Sequence, residues 1–178
     1  MSSDARSPQR VEPVLDGAGL RVAVVCSRFN DLVTFRLLAG AQRGLAAGGV
    51  RADDVVVAWV PGAFELAMAA KVHASHGAFD AVICLGSIIR GDTTHYDMVA
   101  TESARGIQQV QLETGVPVLN GVLTTENLEQ ALVRSEDPGG HNVGEECGRG
   151  AVEMVGLLRS VKAGMRAERA ASRQGRIA

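Results

Sequence analysis

The chain has 178 residues, enough for one domain that buries roughly 70% of its unfolded surface. Its net charge of −2 and its aromatic content of 3% exclude the basic field and the stacking platforms on which nucleic-acid binding depends. No apolar run approaches the ~20 residues that cross a bilayer, and no signal pattern opens the chain, so we expect a cytoplasmic protein without membrane association.

The two ends of the chain differ from its middle. Residues 1–20 are polar and interrupted by proline and glycine, which predicts a flexible N-terminal arm. Residues 21–162 alternate short apolar runs with amphipathic segments, which predicts the folded domain. Residues 163–178 are rich in arginine, alanine and serine, and we expect a C-terminal tail that frays or extends the last helix.

The apolar runs predict four strands, and the segments between them predict helices. Asn30 or Asp31 is expected to cap the first helix, and Gly48-Gly49 to end it. Thr125 is expected to cap a short fourth helix. The predicted strands cover 21–26, 54–60, 81–85 and 116–122, and the predicted helices cover 30–48, 63–75, 94–114, a short segment after 125, and 143–161.

This alternation indicates the fold class. Strands that alternate with helices at this spacing form a parallel sheet with helices on both faces, joined by right-handed crossovers. We therefore predict an α/β protein: a three-layer αβα sandwich with a four-stranded parallel sheet in a flavodoxin-like order.

The segment from Gly86 to Asp97 is the most informative part of the chain. The apolar run before it predicts a buried strand that ends at Gly86, followed by a short polar loop and a helix capped by Thr94. Asp97 is expected to reach back toward that cap. The N–H groups at a helix start suit an anion such as phosphate, and they disfavour a protonated imidazole, which suits His95 to proton transfer. An ordinary strand–loop–helix connection with a solvated histidine is the alternative at this point.

Other side chains suited to binding follow the remaining strands. Ligands of open α/β sheets bind at the carboxyl ends of the strands, where these side chains are expected. Phe29 offers a flat apolar face, Glu65 a carboxylate that accepts from hydroxyl groups, and Arg134 a fixed positive charge. Taken singly, packing explains Phe29, and solvated surface charge explains Glu65 and Arg134. Their convergence on one edge favours a small-molecule site.

Several common chemistries lack their motifs in this chain. There is no GxGxxG at the start of the first helix, no Walker loop and no GxSxG elbow, so nicotinamide binding, nucleotide hydrolysis and serine-hydrolase chemistry are unsupported. Cys26, Cys84 and Cys147 are widely spaced, without a Cys/His cluster, which argues against zinc and against disulfides. We expect no bound metal.

Four blocks of sequence carry a family resemblance. They are Arg28-Phe-Asn30, Trp59-Val-Pro-Gly-Ala-Phe-Glu65, Gly86-x-Ile-Ile-Arg-Gly-x-Thr-Thr-His-Tyr-Asp97 and Gly121-Val-Leu-Thr-Thr-Glu-Asn-Leu-Glu-Gln-Ala131. In their order and spacing they resemble the 6,7-dimethyl-8-ribityllumazine synthase family. The resemblance covers roughly residues 20–161, and its second and third blocks are highly specific.

The resemblance implies the penultimate step of riboflavin biosynthesis. In that step 5-amino-6-(D-ribitylamino)uracil condenses with 3,4-dihydroxy-2-butanone 4-phosphate to give 6,7-dimethyl-8-ribityllumazine. The reaction requires no cofactor, and much of the acceleration can come from holding the two reactants together.

The resemblance also implies a role for each matched residue. Phe29 would stack on the pyrimidine, and Asn30 belongs to the same binding block. His95 would be the proton shuttle, and Arg134 the counter-charge of the phosphate. The other implied contacts are with the ribityl chain and ring for Ala63, Phe64 and Glu65, with the ring edge through backbone groups for Ser87, Ile88 and Ile89, and with the phosphate for Asp92 and Thr93.

A homopentamer follows from the same resemblance. The family's sites lie between neighbouring subunits, and Asn120 and Arg134 would come from the adjacent chain. The turn at 135–141 is about one residue longer than in cage-forming members. We therefore expect a pentamer, and an icosahedral shell of sixty chains is the open alternative.

Two positions depart from the family pattern. Asn120 stands where phenylalanine is frequent, so an aromatic wall of the site becomes a hydrogen-bonding one. Val143 stands where many members carry lysine in Asn-Lys-Gly, and this loss of charge weakens contacts to the phosphate region or the acyclic substrate. His141 is the nearby group that could replace part of that charge.

These departures keep two other functions open. One is a flavin- or lumazine-binding protein on the same scaffold, with weak catalysis or none. The other is a structural shell whose assembly is the main function, which can coexist with catalysis. Binding of riboflavin without turnover would favour the first, and the size of the assembly tests the second.

Overall fold

A computed structural model describes residues 11–174, and its centre is a parallel four-stranded sheet. The strands are β1 (Val22–Ser27), β2 (Val55–Val60), β3 (Ala81–Ile89) and β4 (Val118–Thr125). They lie in the order β2-β1-β3-β4, and all neighbouring pairs are parallel. This arrangement confirms the predicted α/β class and the flavodoxin-like strand order.

Helices cover both faces of the sheet. On one face lie α1 (Asp31–Ala47), α4 (Leu128–Val133) and α5 (Val143–Gln174). On the other lie α2 (Leu66–Ser75) and α3 (His95–Thr114). Short 3-10 turns at Ala52–Asp54 and Ala63–Glu65 precede β2 and α2. Among the described helices none is long and apolar enough to cross a membrane.

The two central strands explain why the apolar runs are continuous. Every residue of β1 is buried, and β3 is buried from Ala81 to Ile88. Successive side chains of β1 point to opposite faces, so Val22 and Val24 contact the α1/α5 layer while Ala23 and Val25 contact the α2/α3 layer. A strand with helices on both faces needs apolar side chains on both.

Helices α1 and α5 pack closely together, with glycines along their contact. A Cβ on Gly144 would overlap the carbonyl oxygen of Leu37, and a Cβ on Gly148 would lie 2.5 Å from that of Ala41. A Cβ on Gly40 would overlap the side chain of Asn142. The absence of side chains at these positions therefore sets the distance between α1 and α5.

Strand β3 is longer than predicted. The prediction that it ends at Gly86 is wrong, because the strand continues to Ile89 by pairing with β4. Glycine at position 86 leaves room for the neighbouring strand, since a Cβ there would lie 2.7 Å from the Ser27 hydroxyl, which would have to move. Strand β4 likewise continues past its predicted end, to Thr125.

Two predicted capping interactions are not formed. Thr94 occupies the N-cap position of α3, but its side chain makes no capping hydrogen bond, and Asp97 pairs with Arg90 instead. Thr125 is the last residue of β4, and α4 is capped by Asn127, whose side chain accepts a hydrogen bond from the Gln130 N–H group. Asp97 is thus engaged by Arg90, and the Thr125 hydroxyl donates to the Asn127 carbonyl instead.

The ends of the chain are partly within the described residues. Residues 1–10 of the predicted arm and 175–178 of the predicted tail lie outside them. Within them, Leu20 is buried and the Gly17 N–H group donates to the Gly48 carbonyl, so this part of the predicted arm packs on the end of α1. Helix α5 continues past its predicted end to Gln174.

Replacement of Gly144 by alanine tests the close contact of α1 and α5. We expect Gly144→Ala to lower the free energy of unfolding by about 1–3 kcal/mol, because its Cβ meets backbone that cannot rotate away. Urea unfolding at fixed protein concentration measures the change. Gly164→Ala, on an open stretch of the same helix, is the control and should leave stability unchanged or raise it by up to about 1 kcal/mol. Equal stability of the two variants would contradict the packing argument.

Candidate active site

A cleft of about 650 Å³ opens at the carboxyl ends of β1, β2 and β3. This is the edge at which open α/β sheets bind ligands. The lining residues come from the segments that follow these three strands and from the last residues of β3. They are Phe29, Pro61, Gly62, Ala63, Phe64, Glu65, Ser87, Ile88, Ile89, Gly91, Thr93, His95, Tyr96, Met98 and Val99.

The cleft exists because β3 extends beyond the last residue of β1 that pairs with it. The last pair between these strands is Cys26 with Leu85, whereas β3 remains paired with β4 as far as Ile89. Backbone groups of successive strand residues point alternately to the two sides. Since the Arg90 N–H group points to β4, where it bonds Thr125, the backbone groups of Ile89 point to the open side. The end of β3 thus presents unpaired backbone polar groups to the cleft.

Asn30 closes part of this open edge. Its side-chain amide donates a 2.8 Å hydrogen bond to the carbonyl of Ser87, and its own backbone is left-handed, with φ of 61°. Asn30 does stand at the N-cap position of α1, but its side chain caps no helical N–H group. Asparagine tolerates left-handed backbone better than most residues, so one side chain serves both the sharp turn and the strand edge.

Two aromatic rings form apolar walls of the cleft. Phe29 is 71% exposed and Phe64 is 55% exposed in the single chain, which is unusual for phenylalanine. Ile88 and Val99 add aliphatic surface between them. Flat apolar faces beside a row of backbone donors and acceptors suit a planar heterocycle, which can stack on the rings and hydrogen-bond through its edge.

Glu65 supplies the carboxylate of the lining. It ends the 3-10 turn at Ala63–Glu65, and its Oε2 accepts a 2.9 Å hydrogen bond from the Gly62 N–H group. This bond fixes the side chain over the turn. No hydrogen bond to its Oε1 is found among the described residues, so that oxygen can accept from a ligand's hydroxyl group.

The loop from Arg90 to Thr94 brings the start of α3 to the cleft. Gly91, Thr93 and His95 line it, and the His95 N–H group lies 3.4 Å from the Thr93 hydroxyl. Helix α3 is 20 residues long, and the positive end of its dipole at this start favours an anion. The imidazole of His95 therefore lies beside a location suited to phosphate.

Arg90 fixes this loop from outside the cleft. Its guanidinium bonds both oxygens of Asp97, at 3.2 and 3.4 Å, and one oxygen of Glu126, at 2.8 Å. It also lies 4.0 Å from the centre of the Tyr96 ring. The hydrogen bond to Asp97, and to a lesser extent the one to Glu126, raises the pKa of Arg90 above its ordinary value. With two carboxylates around it, the Arg90 charge is already compensated.

Four of the predicted site residues do not line the cleft. Asn30 supports it through Ser87, and Asp92 lies exposed on the loop that lines it. Asn120 lies in the middle of β4, where its side chain accepts from the Val122 N–H group. Arg134 follows α4 and donates to the Gln130 carbonyl. The predicted residues brought together in the cleft are Phe29, Ala63, Phe64, Glu65, Ser87, Ile88, Ile89, Thr93 and His95.

Sequence reasoning missed several lining residues. Met98 and Val99 lie one turn after His95, so the helical spacing from the histidine was the signal that could have identified them. Tyr96 belongs to the third motif block, where no role was predicted for it, yet it contributes to the lining.

No cluster that could hold a metal is present among the described residues. The three thiols are buried, and burial raises the pKa of Cys26, Cys84 and Cys147 to about 12 in each case. These thiols are therefore protonated near neutral pH, which makes them poor nucleophiles and poor metal ligands.

Comparison with known families gives a match over most of the chain. The model of the family described as 6,7-dimethyl-8-ribityllumazine synthase matches residues 19–159. The matched region includes all four strands and every residue of the cleft lining.

Asn30 offers a test of how the cleft is held open. Asn30→Ala should lower the free energy of unfolding by about 2 kcal/mol, because it loses a hydrogen bond and places a Cβ in left-handed backbone without a compensating side chain. Asn30→Gly should cost about 1 kcal/mol, since glycine adopts that backbone freely. Chemical unfolding of both variants measures the difference. Equal losses would show that the left-handed conformation contributes nothing.

Proposed function

Because the chain belongs to the 6,7-dimethyl-8-ribityllumazine synthase family, a family of transferases, we propose that it forms 6,7-dimethyl-8-ribityllumazine in riboflavin biosynthesis. Its substrates are then 5-amino-6-(D-ribitylamino)uracil and 3,4-dihydroxy-2-butanone 4-phosphate. The observation that carries the proposal is the cleft itself. It combines a stacking surface, an open strand edge, a carboxylate and a helix start beside an imidazole.

The uracil fits the apolar half of the cleft. Its ring stacks on Phe29, and its carbonyl and N–H edge pairs with the backbone at the end of β3. The ribityl chain carries hydroxyl groups, which donate to Glu65. These contacts place the reactive 5-amino group toward the start of α3, where the second substrate binds.

The phosphorylated butanone fits the polar half. Its phosphate takes the N–H groups and the Thr93 hydroxyl at the start of α3, and Asp92 follows Gly91 in the same loop. Binding both substrates in one cleft turns an encounter in solution into a reaction between neighbours, and this proximity supplies much of the acceleration.

Once both substrates are bound, the protein has only to assist the proton transfers of the reaction. The 5-amino group attacks the ketone carbonyl, and loss of water gives an imine. A proton leaves the carbon next to the imine and phosphate is eliminated. The enol that this elimination leaves takes up a proton at its terminal carbon and becomes a new carbonyl group. The ribitylamino nitrogen closes the second ring on this new carbonyl with loss of a second water. His95 accepts and returns the protons, because it is the imidazole beside the reacting carbons.

A neighbouring subunit completes the site. Among the residues described, the cleft lining contains neither arginine nor lysine, although a phosphate calls for a cation. Arg134 and Asn120 lie outside the cleft of their own chain, and both are exposed. We therefore propose that each protomer lends these two residues to its neighbour's cleft in a homopentamer. A shell of sixty chains stays the alternative.

The departures at Asn120 and Val143 define the second candidate function. His141 lies 3.2 Å from Glu146, so its charge, when protonated, is compensated locally and replaces little of the missing lysine. A weaker phosphate site on an intact ring site favours a lumazine- or flavin-binding protein with little turnover. Tight riboflavin binding with no product above the spontaneous reaction would support it. The cytoplasmic location stays a prediction.

Turnover of the purified protein tests the proposed function. With both substrates present, lumazine absorbance should rise faster than in protein-free buffer. His95→Ala should lower kcat by about tenfold or more, since general acid–base assistance is lost, and should leave uracil binding within about twofold. His73→Ala, which changes a histidine on α2 outside the cleft, is the control. Absence of product from correctly assembled protein would overturn the proposal.

Mixed assemblies test whether the site is shared. Arg134→Ala alone should raise the KM for the phosphorylated substrate and leave the KM for the uracil nearly unchanged. Co-expressed Arg134→Ala and His95→Ala protomers should recover about a quarter of wild-type activity, because about a quarter of interfaces then pair two intact halves. A site within a single chain predicts no recovery. Mass photometry should give roughly 93 kDa, five times 18.6 kDa, for the pentamer.

A further inference from the structure

We propose that Arg36 and Asn142 are positioning residues that hold Arg134 where the neighbouring cleft needs it. The inference rests on the proposed function, in which Arg134 is the counter-charge of the phosphate. Neither residue lines the cleft, and neither belongs to the four motif blocks. Their contacts all converge on the turn that joins α4 to α5, whose first residue is Arg134.

Asn142 is a buried polar residue whose amide is fully engaged. It is 4% exposed, and its Nδ2 donates to the Arg36 carbonyl at 3.1 Å and to the Glu136 carbonyl at 2.8 Å. Its Oδ1 accepts from the Glu145 N–H group at 3.2 Å. One side chain therefore joins α1, the turn and the first turn of α5. Burial of an amide without these partners would be costly, so the loss of one of the three hydrogen bonds weakens the other two.

Arg36, on α1, contacts the same turn. Its Nε donates a 2.7 Å hydrogen bond to the carbonyl of Ser135, the residue after Arg134. The Ser135 side chain is buried and donates to the Ala131 carbonyl inside α4. Hydrogen bonds from a charged donor are about twice as strong as those between neutral groups. Arg36 thus connects the turn after α4 to the second turn of α1.

The backbone of Arg134 is held between these contacts. Its carbonyl accepts from the Val143 N–H group at 3.0 Å, and Ser135 and Asn142 form an antiparallel bridge one residue further in. The Arg134 side chain extends from this braced turn, with Nη1 bonded to the Gln130 carbonyl. A long flexible side chain can reach across an interface accurately only if its backbone is fixed.

Helix α1 gives the arrangement its functional meaning. It begins beside Phe29 and Asn30 at the protomer's own cleft, and Arg36 follows on its second turn. The close contact at Gly40 lets Asn142 dock directly on α1. The helix therefore holds Arg134 at a fixed distance from its own cleft, and in a ring of protomers this distance sets where Arg134 meets the next cleft.

A double-mutant cycle tests the inference. Arg36→Met should raise the KM for the phosphorylated substrate by about tenfold, with kcat and the KM for the uracil within about twofold of wild type. In an Arg134→Ala background the same substitution should have no further effect on that KM. Arg36→Lys retains a donor for Ser135 and should restore most of the affinity. Mass photometry checks that each variant assembles as the wild type does.

Two controls separate positioning from general damage. Arg43→Met removes another arginine of α1, one that pairs with Glu145 on α5 and does not contact the turn, and should leave both KM values unchanged. Asn142→Asp retains the acceptor for Glu145 but loses both donated hydrogen bonds, and should reproduce the Arg36→Met pattern. Hydrogen exchange at the Val143 amide should quicken in Arg36→Met and not in Arg43→Met, whether or not the protein is active.

The outcomes separate the positioning role of Arg36 from the proposed function. An additive effect of Arg36→Met in the Arg134→Ala background, or an unchanged KM in Arg36→Met, would overturn the positioning role while leaving the proposed function intact. An Arg134→Ala variant with an unaltered KM would overturn both the role of Arg134 and this inference. If the wild type makes no lumazine, unchanged exchange at Val143 in Arg36→Met would still refute the proposed contact.

Discussion

The open edge of β3 is the constraint on which the rest of the cleft depends. A strand inside a parallel sheet normally has both edges paired, but β3 continues past the last residue of β1 that pairs with it. Unpaired backbone groups near the core are costly unless something bonds them. Asn30 satisfies one of them, at Ser87. The others remain available to a ligand, so the strand offset that leaves the sheet incomplete is also what makes it able to bind.

Around this edge, the fold separates two kinds of surface. The segments after β1 and β2 contribute rings and a carboxylate, whereas the segment after β3 contributes a helix start and an imidazole. Arg90 fixes the segment after β3 by bonding Asp97 and Glu126, and its single positive charge offsets part of their negative charge. The proposed reaction uses this division, with a ring substrate on one side and a phosphorylated one on the other.

The sequence predicts the fold better than it predicts the ends of elements. Alternating apolar runs and amphipathic segments suffice for the sheet and its helices, since burial on both faces demands them. The predicted end of β3 at Gly86 was wrong for a physical reason. The glycine leaves room for Ser27 on the neighbouring strand, and the sequence around Gly86 does not reveal this contact. The predicted caps were wrong for a similar reason, because Asp97 bonds Arg90 and the Thr125 hydroxyl bonds the Asn127 carbonyl. For the site, motifs identified most lining residues, but the position of Arg134 depends on contacts between segments that are distant in the sequence.

The buried thiols have a practical consequence for labelling this protein. All three native cysteines lie within the core, and burial raises the pKa of each to about 12. A maleimide dye added near neutral pH meets no ready thiolate in the folded chain. A single cysteine introduced on the exposed side of α3, for example at Leu112, would therefore take up the fluorophore selectively without removal of the natural ones.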